Sequence, residues 1–337
     1  MEAALAGLET AVVAALCHLG VPDRLGRPTP IGELAATLTV DPDRLERLLR
    51  YAHVRGWVRL DRRGRVRPTR LTAFLRSDHP GGWGAWPTFA ASPEVAAALS
   101  ALGEGLRNDA DAFAVANGQP FFTWMAGHPQ HHARFDAAMA AGARMHGLLL
   151  AHDLDWADRQ RVCDIGGGDG ALLQVLVSHH PHLEGVVLER PEVVARMPAR
   201  HRLVAKSGDA FEGVPAGFDT YLLVNVLHDW DDVAAARLLA RAADAARSTS
   251  AGGADPLVVV VESSAQARPV DDISLLADTL MLALTPGGHE RTVEGFAALG
   301  RSAGLELRRQ RPLASGDVAL VFGLARPSDR AGEQPGR

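Results

Sequence analysis

The chain has 337 residues, 47% of them hydrophobic and 22% charged, with a formal net charge of −5. That length points to two domains with a sizeable core, since single cores rarely grow beyond about 250 to 300 residues. The negative balance excludes a protein whose whole surface grips nucleic acid. Cys17 and Cys163 stand in apolar settings without a zinc-ligand pattern, so they read as buried free thiols of a reducing compartment. Met1 to Ala4 lack a basic leader, and the apolar run Ala11 to Leu19 is too short to span a bilayer. A cytoplasmic protein with no membrane partner is expected.

Residues 3–19 read as a helix stopped by Gly20-Val21-Pro22. Two short helices follow, at 30–36 and 42–52, the second with Asp41 as N-cap and Pro42 at its first position. Trp57 to Leu60 and Arg65 to Pro68 flank an Asp61-Arg62-Arg63-Gly64 turn and predict a hairpin. Helix, helix, hairpin is the order of a winged helix. Eleven arginines against two acids between Arg44 and Arg76 make a DNA-binding regulator the alternative reading. A solvated Arg-rich face on a dimerisation domain is the favoured one, with no nucleic-acid partner.

From Trp83 to Leu150 the pattern is mainly helical. Phe121, Phe122, Trp124, Met125, Phe135, Met139 and Met145 concentrate here in a chain with only 5% aromatics, and part of this set is expected to line an apolar pocket. Among His128, His131, His132 and His146, only His128 and His132 have i, i+4 spacing, and Pro129 falls between them. No metal site is expected.

The second half alternates strand and helix, the signature of a parallel sheet covered on both faces. Strands are predicted at 162–165, 185–188, 203–205, 220–224 and 257–261, with 318–324 and 305–309 as an antiparallel edge. Helices are predicted near 170–180, 191–200, 231–247 and 291–303. Residues 248–256 read as a loop, and 328–337 as a disordered tail. The fold class is therefore α/β, in four parts: a winged-helix-like domain (1–82), a helical linker contributing to a substrate pocket (83–155), a Rossmann-like catalytic domain (156–327) and the tail.

Between the first predicted strand and its helix lies Asp164-Ile165-Gly166-Gly167-Gly168-Asp169-Gly170. Glycines there permit a tight turn and a close backbone approach to a ligand at the helix start. Glu189 ends the next strand, placed for two ribose hydroxyls, and Asp209 in Gly208-Asp209-Ala210-Phe211 is placed for an adenine amino group with Phe211 on the ring. The loop alone fits a dinucleotide or S-adenosylmethionine. The extra Gly170, and an Asp169 charge that would repel a pyrophosphate, favour the latter. The fourth strand runs out to His228 in Leu227-His228-Asp229-Trp230. Glu262 ends the fifth, and Glu290 follows Pro286-Gly287-Gly288-His289. One histidine with two carboxylates for its far nitrogen has the makings of a general base.

In these stations the chain resembles the caffeic-acid-type S-adenosylmethionine-dependent O-methyltransferases and their bacterial relatives in polyketide and antibiotic biosynthesis. The resemblance implies His228 as base flanked by Glu262 and Glu290. It implies cofactor positions at Asp164, Gly166, Gly168, Glu189, Gly208, Asp209, Ala210, Phe211 and Asn225, and substrate positions at Asp229 and Met281, to which Phe121, Trp124, Phe135 and Met139 are added as pocket residues. It also implies a homodimer, with the N-terminal helices of one subunit closing the other's site, and an aromatic or polyketide-like small molecule as substrate. Val224 departs from a common lysine, Glu189 from aspartate and Ala210 from methionine.

Overall fold

The computed structural model describes residues 6–79, 81–252, 255–265 and 272–325; the predicted tail lies outside these. They form two compact units, residues up to 100 with 125–142, and residues 101–124 with 143 onward, so the stretch 83–155 is shared between the two.

The first unit contains α1 (Ala6–His18), α2 (Val21–Arg24), α3 (Ile31–Leu38) and α4 (Pro42–Val54). A sheet of β1 (Thr29–Pro30), β2 (Val58–Leu60) and β3 (Arg65–Pro68) follows the order β1-β3-β2. Asp41 caps α4 by accepting from the Arg44 N–H at 2.9 Å, and Pro42 needs no partner at the first helical position. Leu16, Val21, Leu25, Leu34, Leu49 and Val66 fuse helices and hairpin into one core. β1 was not expected: two residues carry no periodicity, and only pairing with Arg65 and Val66 defines them. The unit continues through α5 (Arg70–Phe74), α6 (Ala85–Ala90) and α7 (Pro93–Ser100).

In the second unit, α8 (Leu102–Asn108), α9 (Ala112–Asn117) and α10 (Phe121–Gly127) lead to the long α11 (Pro129–Asp153), the last two beginning or ending across the unit boundary. The sheet then takes β4 (Arg161–Ile165), β5 (Glu184–Glu189), β6 (Leu203–Ser207), β7 (Thr220–Val224), β8 (Leu257–Glu262), β9 (Leu305–Pro312) and β10 (Val318–Leu324). Its order is β6-β5-β4-β7-β8-β10-β9, with β10 antiparallel to both neighbours. Runs such as Val258 to Val261 are apolar at every position because both faces are covered. Helices α12 (Ala171–His179), α13 (Pro191–Val194), α14 (Asp232–Ser250), α15 (Asp272–Leu284) and α16 (Val293–Ser302) complete the unit. No described helix is long and apolar enough to cross a membrane.

The helices differ from expectation at two places. The helix expected over 191–200 stops at Val194, because Pro198 supplies no N–H and disfavours helical geometry at Met197. The stretch 248–256 is not wholly loop, since α14 runs on to Ser250.

Candidate active site

Strand order reverses between β4 and β7, and the first strand ends there in the glycine loop. Gly166, Gly168 and Gly170 have φ of 72°, 57° and 75°, a region costly for side-chain-bearing residues. A Cβ on Gly170 would stand 2.7 Å from Met197 Cε, and one on Gly167 2.5 Å from Asp164 Oδ2. Asp164 is buried beneath the loop, and Oδ2 has no hydrogen-bond partner among the described residues. Burial, and then the nearby Glu189 charge, push its carboxyl up to about 7. Glu189 reaches the loop directly: Oε1 accepts from the Gly168 N–H at 3.3 Å and Oε2 from the Arg190 N–H at 2.7 Å.

Asp169 does not stand in the loop as a bare charge. Arg200 donates from Nε to the Asp169 carbonyl at 2.6 Å and from its terminal nitrogen to Oδ2 at 2.5 Å. The loop charge is compensated, so it no longer argues against a pyrophosphate.

Beyond β6, Gly208 and Ala210 flank an exposed Asp209, whose Oδ1 accepts from the Phe211 N–H at 2.8 Å. The Phe211 ring meets Trp230 edge-on at 4.8 Å. Trp230 stacks on Phe122 at 5.6 Å and 19°, and Arg190 lies 5.5 Å above Phe122. Trp230, quoted from sequence only within the Leu-His-Asp-Trp run, and Phe122, named only in the set expected to be core or pocket, thus connect the Phe211 ring to the chain just after Glu189. Phe121 and Trp124 pack edge-on against Phe113 instead, at 5.0 and 5.7 Å. Met281 is half-buried on α15. Phe135 and Met139 belong to the first unit, where Phe135 lies 5.5 Å from Phe89.

β7 ends at Val224; Asn225 is exposed in the left-handed region at φ 52°, its N–H donating to Val261 O at 2.9 Å. A single 3-10 turn, Leu227–Asp229, then carries His228. Glu262, fully buried at the end of β8, accepts from the Val226 and Leu227 N–H groups at 3.0 and 2.7 Å with Oε1. Its Oε2 lies 2.8 Å from His228 Nδ1, with Glu290 Oε1 at 3.7 Å and Asp229 Oδ1 3.6 Å from Nε2. Arg291, buried, holds the same turn from its carbonyl side, donating to Leu227 O at 2.8 Å, Trp230 O at 2.7 Å and Asp232 at 2.8 Å. Gly288 is required beside it, as a Cβ there would lie 2.5 Å from His228 O. Asp278 on α15 accepts from the Glu290 N–H at 2.8 Å.

Burial alone would lower the His228 pKa; the charge and hydrogen bonding of Glu262, with Asp229 and Glu290, outweigh it and raise it to about 10. Burial lifts Asp229 to about 6 and Glu290 to about 7, the His228 charge opposing both. Elsewhere, His131 and His132 each have a carboxylate of their own, Glu94 at 2.9 Å and Asp136 at 3.4 Å.

A glycine loop, an acid ending the next strand and a histidine between carboxylates thus share one rim of the sheet. Residues 99–306 match the model of the O-methyltransferase domain family. The chain belongs to this family of S-adenosylmethionine-dependent O-methyltransferases. It is 33% identical over 317 residues to a mitomycin biosynthesis 6-O-methyltransferase of Streptomyces lavendulae, covering 90% of this chain and 87% of that one. It is 31% identical over 322 residues to the 8-amino-8-demethylriboflavin N,N-dimethyltransferase of Streptomyces davaonensis, covering 92% and 90%. Among solved structures, the O-methyltransferase NcsB1 from neocarzinostatin biosynthesis, in complex with S-adenosylmethionine and 2-hydroxy-5-methyl naphthoic acid, superposes with a TM-score of 0.74 at 29% identity over 94% of this chain and 96% of that one. This membership does not favour the DNA-binding regulator.

Proposed function

We propose that this enzyme methylates a hydroxyl of an aromatic or polyketide-like small molecule, with His228 as general base and Glu262 and Glu290 balancing the charge it gains. S-adenosylmethionine supplies an already activated sulfonium methyl. The chain's own residues suit it: the cramped Gly166–Gly170 backbone allows close approach, and the Asp164 Oδ2 atom is a buried acceptor beneath it. Glu189 is assigned to the ribose hydroxyls, Asp209, Ala210 and Phe211 to the adenine, and Gly208 and Asn225 to the surrounding backbone. Asp229, Met281, Phe121 and Trp124 are assigned to the acceptor. The relatives' mitomycin and naphthoate chemistry supports the aromatic class.

The contact of His228 with Glu262 carries this reading. A neutral aromatic amine offers a lone pair before it loses a proton, whereas a phenol of pKa about 10 is a poor nucleophile until deprotonated. A histidine braced by carboxylates is the equipment the second case needs. The N,N-dimethylating relative makes the distinction worth measuring. Labelled-methyl transfer against matched phenols and anilines is expected to label the phenols; label in the anilines alone would overturn an oxygen acceptor.

With His228 raised to about 10, its unprotonated form is scarce at neutral pH and grows with pH. In return, proton transfer from a phenol is nearly balanced. The logarithm of kcat/KM is therefore expected to rise with pH through 7 to 9, and a profile flat across that range would remove His228 as the base. The ligand atoms of His228, Glu262 and Glu290 lie within 4.8 Å of one another, a spacing that would also suit a cation. Base catalysis needs none, so turnover after EDTA treatment is expected to match the untreated enzyme. Loss restored by a divalent ion would favour the metal reading.

Pairing with a second copy of the chain is part of the proposal. Leu275, Leu276 and Leu282 on α15 are 52%, 72% and 48% exposed, apolar side chains that a partner subunit would cover.

A further inference from the structure

Asp169 is the one residue of the Gly166–Gly170 loop with an ionisable side chain, and its surroundings are built around it. Oδ1 accepts from the Ala171 N–H at 2.9 Å and fixes the start of α12. Oδ2 and the carbonyl oxygen both receive Arg200, whose side chain is 16% exposed against 24% for Asp169. Arg200 comes from the chain between α13 and β6, whose Met197 also packs against Gly170. A guanidinium held by two acceptors in a half-buried setting is oriented as well as attracted.

The two nucleoside ligands of a methyl transfer differ in charge at one atom. S-adenosylmethionine carries a sulfonium, and its product S-adenosylhomocysteine a neutral thioether. We propose that the Arg200–Asp169 pair is a positioning device that neutralises the cofactor loop and so sets the balance between methyl donor and demethylated product. Cancelling Asp169 removes a negative charge that would otherwise favour the cationic donor; an uncompensated Arg200 would favour the product. The inference rests on the reading that this loop seats the cofactor.

Opposite signs in two single variants make the test. Titration calorimetry with both ligands is run on the wild type, Arg200→Gln, Asp169→Asn and the double variant. Gln retains a donor for the Asp169 carbonyl, and Asn an acceptor for the Ala171 N–H, which protects the fold. Arg200→Gln is expected to shift the ratio of the two affinities toward S-adenosylmethionine by about three- to tenfold, as one unscreened charge at partly buried range would. Asp169→Asn is expected to shift it toward S-adenosylhomocysteine, with the double variant returning to within about twofold of wild type. A loss equal for both ligands in both single variants means the pair is merely structural and overturns the inference. Gly168→Val separates the premise: if it leaves donor binding intact, the loop is not the cofactor seat, and the inference falls with that reading.

Discussion

His228→Ala is expected to cut turnover by a factor on the order of a hundred or more, the usual worth of a positioned proton acceptor, while leaving S-adenosylmethionine affinity within about twofold. The separation follows from the contacts. His228 lies against Glu262, Glu290 and Asp229, whereas the glycine loop is braced by Glu189 and Arg200. Removing the imidazole leaves Glu262 its two backbone donors, so the turn keeps its anchor. Single-turnover transfer with a phenolic acceptor, beside calorimetry with the donor, reads both quantities. An unchanged rate removes His228 from the chemistry; an equal loss of donor affinity makes it structural.

Glu262→Gln is expected to cost a factor on the order of a hundred to a thousand, for a different reason. In the neutral ring the Glu262 carboxylate, 2.8 Å from Nδ1, favours the tautomer that carries its proton on Nδ1 and so leaves Nε2 bare to receive one. A Gln amide can keep its oxygen on the Val226 and Leu227 N–H groups, and then its NH2 faces Nδ1. That favours the opposite tautomer, with Nε2 already carrying the proton. The same change removes the largest influence raising the His228 pKa, so the rising limb of the pH profile moves to lower pH even as its plateau falls. Measuring kcat/KM from pH 6 to 10 distinguishes this from simple loss of structure, which would lower the plateau and leave the limb in place.

The parts of the site legible in sequence were those that local chemistry marks. Glycines followed by helical periodicity placed the loop, and apolar runs ending in Glu189 and Glu262 placed two acids on one rim, because a strand's end is visible where its apolar run stops. Tertiary pairs were not visible. Arg291 stands in the quoted Gly-Gly-His-Glu-Arg stretch, yet nothing local says that its guanidinium serves carbonyls 61 and 64 residues away in sequence. Arg200 lies thirty-one residues from the loop it clasps, in a stretch whose expected helix Pro198 prevents. α15 escaped notice because its apolar residues, Leu275, Leu276, Leu280 and Leu282 among them, do not keep to one face.

The turn bearing His228 is gripped on both sides, its N–H groups by a carboxylate and its C=O groups by a guanidinium. Little conformational freedom is left there to surrender at the barrier. The activation entropy of methyl transfer should therefore reflect the acceptor and the walls that orient it, while the base contributes mainly to the enthalpy.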